Sequence, residues 1–574
     1  MRMHPRAWLA VAVAVVVAAA GGWAAVGAGD DASPADGTAV DVLTGHDWTH
    51  LAGATVGPGG VRIVGLGGRI VRQDGSGGQP NPPVNLRGPR LAVRGPVEIT
   101  AGVDRPAGQS AVLILYGDVP VVYDEWRHNP PGLAVTVTDG EVRLAVWDGR
   151  GDDPAVHRRA KVAVPAAATV TVTRAGGQLT VRLGDARLSV TDPGVFGSGR
   201  VFFGADADDG GTATSPGGPA GWTLTSLRAA GLGGGSATVV DAPALGQPAP
   251  APGSLRVLAA DRRALPIGAA VAAEPLLADD GYRRLTAAQF SMLTTENAVK
   301  PQFVHPQPDR YDFTGGDLLV DFAAANGIAV HAHTLVFGEA NPRWMQDAPA
   351  GRLEQIMLDH ISTVVGHYRG RIAEWDVVNE PLSTESEDYE DGGTGLRRHL
   401  WQQAMGETYI DRAFAAARAA DPGAKLYLND FGLEADGERW DALLGLVGRL
   451  KRRGVPIDGV GFEAHIHEAG DRVTAAVLQD HFADLARLGL SARVSEIDVY
   501  GDSAGGQAEQ YATALTACLA APNCTSYTTW GVTDRYGSTT ESGTYPPQLG
   551  DDLIFDRNLA PKAAFTALTR VLRG

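Results

Sequence analysis

Two glutamates end strand-like runs in this chain: Glu380 in AEWDVVNEPL and Glu496 in ARVSEID. Trp375, Val377 and Val378 call for burial, Asn379 and Glu380 do not, and Pro381 stops the strand behind them. A carboxylate at the tip of an apolar strand is either a solvated strand end or a catalytic group on a rigid mount. Two such carboxylates facing one cleft have a definite chemistry. One protonates a leaving oxygen while the other attacks or activates water, as cleavage of a glycosidic bond requires. Desolvated like charges repel, so a chain has few other reasons to aim two acids into one apolar-walled site.

The elements that would position them recur along the second half of the chain. LPIGAAV, FSMLTTEN, IAVHAHTLVF, IAEWDVVNE, KLYLNDF, IDGVGFEAHIH, ARVSEID and YTTWGVTD are eight strand candidates in order. Helical stretches lie between most of them, among them GETYIDRAFAAARAADPGAK, with Ile410, Phe414 and Ala417 on one face and Pro-Gly at its end. Eight such units over 255–574 predict a (β/α)8 TIM barrel, whose chemistry sits where the strands end. Polar residues occupy that place: Glu296, Asn297, His333, Asn379, Glu380, Asn429, Asp430, His465, Glu496 and Asp534. Glu380 and Glu496 end the fourth and seventh candidates, roughly opposite each other across the barrel mouth.

From residue 255 onward the chain resembles glycoside hydrolase family 10, the retaining endo-β-1,4-xylanases. WDVVNEPL is similar to the family's acid/base signature and VSEIDV to its nucleophile signature; TTENAVK, HAHTLV, GVGFEAHIH and YTTWGVTDRY follow in the family's order. The resemblance implies that Glu380 is the general acid/base and Glu496 the nucleophile, about 5–5.5 Å apart as in retaining enzymes. It implies that Asn379 bonds the sugar 2-hydroxyl and that His465, supported by Asp498, keeps the nucleophile ionised. Glu296, Asn297, Lys300 and His333 would grip the glycone sugars, and Trp530 would floor a sugar ring. No cofactor and no metal are expected, and the substrate would be xylan or a related β-1,4-glycan.

The departures from the family cluster at the substrate. Pro301 and Phe337 stand where members carry Trp, Gly338 where they carry His, and Glu463-Ala464 where they carry Gln-Ser; no Trp follows Trp530. Tyr536, Tyr545, Phe555 and Phe565 are the aromatics left to replace it. Gly338 is expected to open space, and Glu463 to put a third carboxylate near the nucleophile. Another β-linked glycan or glycoside is therefore an alternative substrate. Two other classes remain: a non-catalytic glycan-binding protein, and a metal-dependent barrel hydrolase using the pairs His331/His333 and His465/His467.

The front of the chain has another character. Over 38–231, short apolar or alternating runs are separated by Gly, Asp or Pro, and TDGEV and RAGGQL read as hairpin turns. This predicts an all-β jelly-roll sandwich, loosely similar to concanavalin-like domains, with Trp126, Trp147 and Trp222 as core residues or sugar platforms. A Gly/Pro/Ala-rich linker is expected over 232–254. Residues 1–28 read as a signal peptide or, because the apolar run 7–28 could span a bilayer, an anchor; either places the folded part outside the cell. Cys518 and Cys524 then read as a short-loop disulfide, the alternative being two buried thiols, and the resemblance supports the disulfide. Across the 574 residues, 49 Lys+Arg against 66 Asp+Glu give a net charge of −17. That argues against a nucleic-acid partner and leaves a neutral polysaccharide open. A monomer is expected.

Overall fold

The computed structural model describes residues 37–46, 48, 54–64, 87–118, 121–123, 126–128, 130–149, 154–207, 221–383, 395–467, 473–500, 504–537 and 551–574. The expected signal or anchor segment and Tyr545 lie outside these residues. Among the described residues no helix is long and apolar enough to cross a membrane.

Among the described residues, the front of the chain folds into two large antiparallel sheets and a separate two-stranded hairpin, Val121–Tyr123 with Trp126–His128. One runs in the order Ala186–Thr191, Gln178–Leu183, Ala167–Ala175, Val97–Asp104, Trp222–Gly231, Gly60–Ile63 and Ala54–Gly57, with Val40–Asp41 added beside Trp222–Gly231. The other runs Val156–Lys161, Glu141–Trp147, Gly132–Val137, Ala111–Tyr116, Arg200–Asp206, Arg90–Arg94 and Ser236–Val240. Ile99, Val172 and Leu227 of the first sheet share one buried core with Leu113, Leu133 and Leu144 of the second. The RAGGQL turn is a two-residue hairpin in which Ala175 faces Gln178. Gly176 and Gly177 both take positive φ, 56° and 73°, the conformation that favours glycine at a tight hairpin turn.

The tryptophans of this region are structural where they can be described. Trp222 is fully buried and its Nε1 donates to the Asp206 carbonyl at 2.7 Å. Half-buried Trp147 lies beside Tyr116, 6.3 Å between ring centroids, and packs against the small buried cluster of Val112, Ile114, Tyr116, Ala134 and Phe202, on which Ala278 of the barrel also packs. The side chain of Trp126 lies outside the described residues.

The stretch expected as a linker differs from a free connector. Ser236–Val240 is a strand paired with Arg90–Arg94. The chain beyond it is tied to the barrel, Gln247 N donating to Asn326 Oδ1 and Asn326 Nδ2 to the Leu245 carbonyl. The two-sheet region also docks on the barrel directly. Arg90 and Arg200 donate to the carbonyls of Leu277 and Ala278, and Arg87 pairs with Asp321 at 2.7 Å.

The eight expected barrel strands are Ile267–Ala270, Met292–Thr294, Ala329–Ala332, Glu374–Asn379, Lys425–Asp430, Gly459–Phe462, Ser491–Tyr500 and Cys524–Thr529. Each pairs in parallel with the next, and the eighth closes on the first. Two short strands, Val336–Phe337 and His465–His467, prolong the third and sixth units beside the fourth and seventh strands. The surrounding helices bury the faces their spacing predicts. In Thr408–Ala420 these are Tyr409, Ile410, Ala413, Phe414 and Ala417. Each fully buried Ile or Phe of this kind contributes about 1.5–3 kcal/mol. Cys518 and Cys524 are disulfide-bonded, joining the helix Ala504–Ala520 to the eighth strand.

Candidate active site

The barrel strands converge on a cavity of about 280 Å³. Its wall includes Lys300, His333, Asn379, Glu380, Glu496 and Trp530, all expected from the sequence, together with His465 and Glu463. Asp498 stands behind the wall, accepting from His465 Nδ1 at 2.9 Å. Glu296 and Asn297 are buried just beyond the second strand, 3.4 Å apart through Asn297 Nδ2 and Glu296 Oε1, and are not among the residues lining the cavity.

Glu380 is mounted with some backbone strain. Its φ is +47°, unusual for a residue with a side chain. The main chain is held there because Glu380 N donates to the Asn429 carbonyl at 2.8 Å. Its carboxylate accepts from Asn379 Nδ2 at 3.2 Å and from Arg397 Nη1 at 2.5 Å. Burial, followed by the nearby Glu339 carboxylate, pushes its pKa up to about 8 against the pull of Arg397.

Glu496 is held the other way. Burial works to raise its pKa, but His333 and His465 outweigh it and hold the carboxyl below its ordinary range. His333 Nδ1 lies 3.5 Å from Glu496 Oε1, and His465 Nε2 lies 3.5 Å from Oε2. His465 stays cationic because Asp498, against the effect of burial, raises its pKa. His333 is in turn steered by Asp376, whose Oδ2 lies 3.0 Å from Nδ1. Trp530 packs edge-on to His333, 5.3 Å between centroids, with the Lys300 ammonium 6.0 Å from its indole.

Asn429 connects the two sides. Its Nδ2 donates to Asn379 Oδ1 at 2.8 Å, Glu463 Oε1 at 3.0 Å and Glu496 Oε1 at 2.7 Å, and its Oδ1 accepts from Ser495. A chain of hydrogen bonds thus runs from Glu496 through Asn429 and Asn379 to Glu380. Glu463 is as close to Glu496 as expected, both accepting from Asn429 Nδ2. Burial, then the charges of Glu496 and Glu380, raises its own pKa well above the usual value.

Among the described residues, two side-chain groups have donor types that suit a cation: His333 with Asp376 and Glu496, and His465 with Glu463 and Glu496. In both, the imidazole already bridges two or more carboxylates, which is the bonding of a charge network. The His331/His333 pair is also divided. His331 engages Glu374 and Asp376, and His333 engages Asp376 and Glu496. The side chain of His467 is not among those described.

Several residues here were missed in the sequence. Asn429 carried a signal, a polar group at a strand end, but no role was assigned to it. Asp376 lies inside the fourth strand. Arg397 and Glu339 come from loops and carry no strand-end signal. Tyr500 lines the cavity, whereas Tyr536 bonds Asp279 and Phe555 packs on Phe565. The expectation that Gly338 opens space is also corrected: the His399 ring occupies it, 3.0 Å from where a Cβ would stand. Phe337 remains on the cavity wall, and Pro301 begins the short helix Pro301–Val304, where its missing N–H costs nothing.

An eight-stranded barrel presenting two buried carboxylates of opposed acidity to one cleft is the frame of a glycoside hydrolase. Residues 254–571 match the family described as glycosyl hydrolase family 10. Endo-1,4-beta-xylanase B of Thermotoga neapolitana is 34% identical over 300 residues, covering 51% of this chain and 83% of that protein. Beta-1,4-xylanase of Dictyoglomus thermophilum is 35% identical over 307 residues, covering 50% and 84%. The crystal structure of xylanase 10B from Thermotoga petrophila RKU-1 in complex with xylobiose superimposes with a TM-score of 0.51 at 33% identity, covering 56% of this chain and 97% of that one. The chain belongs to glycosyl hydrolase family 10.

Proposed function

We propose that the protein is a retaining endo-1,4-β-xylanase, with Glu496 as nucleophile and Glu380 as acid/base. The observation that carries this reading is the opposed acidity of the two carboxylates on one cavity wall. In the first step the Glu496 carboxylate attacks the anomeric carbon, the bond to the leaving oxygen breaks, and Glu380 gives that oxygen its proton. In the second, Glu380 takes a proton from water as the water attacks the glycosyl ester and Glu496 leaves as carboxylate. Asn379, bonded to both Asn429 and Glu380, would hold the sugar 2-hydroxyl. Lys300 and His333 would contact the glycone from the wall, with Glu296 and Asn297 beyond it, and Trp530 would floor a ring.

Xylan is favoured because the relatives named above are xylanases and one was crystallised with xylobiose. Phe337 on the wall and Gly338 beneath His399 favour a second reading, in which the same machinery accepts another β-linked glycan. The two-sheet region is read as a jelly-roll, concanavalin-like module, and the protein as an exported monomer; the apolar N-terminal sequence and the disulfide support export.

The test is product analysis on xylan, arabinoxylan, mixed-linkage glucan and mannan, with wild type beside Glu496→Ala. Xylo-oligosaccharides from wild type alone are expected. Glu496-dependent cleavage of a different glycan, with xylan untouched, would replace xylan as the substrate.

A further inference from the structure

The acid/base of this mechanism carries a cation. Arg397 Nη1 donates to Glu380 Oε2 at 2.5 Å, and both side chains are largely buried. A guanidinium in direct contact stabilises the carboxylate and works against the proton that Glu380 has to deliver. The other arm of the same guanidinium is taken, since Nη2 donates to Glu339 Oε1 at 2.6 Å. The fork therefore spans two carboxylates, Glu380 and Glu339, both of which line the cavity.

Both loops are built to hold this arrangement. Asn341 Nδ2 donates to the carbonyls of Phe337, Gly338 and Glu339 at 2.9, 3.2 and 2.9 Å, and Trp401 Nε1 donates to the Phe337 carbonyl at 3.0 Å. Arg397 N donates to the Pro381 carbonyl at 2.7 Å, and two residues on, the His399 ring packs against Gly338. Glu339 is thus fixed against Arg397 from its own side and from the facing segment.

We propose that Glu339 is a positioning residue for Glu380: by engaging one arm and part of the charge of Arg397, it prevents the guanidinium from locking Glu380 as a carboxylate. This rests on the assignment of Glu380 as acid/base. Among the described residues, the further acidic groups acting on Glu380 are Asp430 on the fifth strand, Glu463 after the sixth and Glu496 on the seventh, while Lys300, His333 and the cationic His465 share its cavity. None of these is altered by the substitutions below. His399, beside Arg397, is kept neutral by burial and by that neighbouring cation.

The test is kcat/KM against pH on xylotetraose, whose sugar leaving group needs the proton of Glu380, for wild type, Glu339→Gln and Arg397→Gln, with Glu339→Ser as a smaller uncharged replacement should Gln not fold. The alkaline limb of the Glu339 variant moves about one pH unit lower, and that of Arg397→Gln moves higher. A purely structural role for Glu339 would lower the profile without moving its limb. An alkaline limb present in wild type and unmoved in the Glu339 variants overturns this inference alone. A wild-type profile with no alkaline limb overturns the assignment of Glu380 as well.

Discussion

At the residue scale, the proposed chemistry rests on separating the acidities of two carboxyl groups that share a cavity. Glu496, with His333 and His465 against it, stays ionised into the acidic range. Glu380, buried beside Glu339, keeps its proton until about pH 8. The sign of the pH dependence follows. kcat/KM rises with pH as Glu496 loses its proton and falls as Glu380 loses its own, so the profile is a bell whose alkaline limb lies near pH 8. Measurement of kcat/KM across pH checks this, and a profile flat in pH would count against both roles. Glu380 and Glu496 were legible in the sequence because a charged residue at the tip of an apolar strand is conspicuous. Glu339 and Arg397 were not, because a loop residue gains its meaning from a partner that only the fold supplies, here 58 positions away.

At the element scale, the ends of the fourth and fifth strands are tied together by one buried ion pair. Arg439, on the helix Glu438–Arg452, donates from Nη2 to Asp430 Oδ1 at 2.7 Å and stacks over Phe431. Asp430 Oδ2 accepts from Leu382 N at 3.0 Å, just past Glu380. Arg439→Gln leaves a buried carboxylate without its cation, so unfolding in urea should show a loss of about 3–5 kcal/mol. A loss under about 1 kcal/mol would mean that water or a rearranged loop compensates. The eight barrel strands were legible because each is a short apolar run bounded by Gly, Pro or a polar pair. Ser236–Val240 was not, because its Gly- and Ala-rich surroundings have the composition of a linker. It becomes a strand only by pairing with Arg90–Arg94, a demand set by the sheet and invisible locally.

At the scale of the whole molecule, the two-sheet region and the barrel keep separate hydrophobic cores. They meet where Ala278 packs against a small apolar cluster around Tyr116 and Phe202, and through hydrogen bonds from Arg90 and Arg200 to the carbonyls of Leu277 and Ala278. These two carbonyls end the short helix Ala273–Ala278, which follows the first barrel strand. An interface of this kind fixes orientation more than it adds stability. Replacing both Arg90 and Arg200 by Ala should therefore enlarge the radius of gyration in small-angle X-ray scattering while each core still unfolds at its wild-type temperature. An unchanged radius would assign the docking to Ala278, Arg87 and the chain around Gln247.

The central claim is that Glu496 forms a covalent bond to the sugar and Glu380 serves both halves of the reaction. Its most direct test is the anomeric configuration of the first product released from xylo-oligosaccharide, followed by proton NMR before mutarotation. Two displacements at one carbon predict that the β-anomer appears first and decays towards the equilibrium mixture. First appearance of the α-anomer would show a single displacement by water and contradict the role given to Glu496.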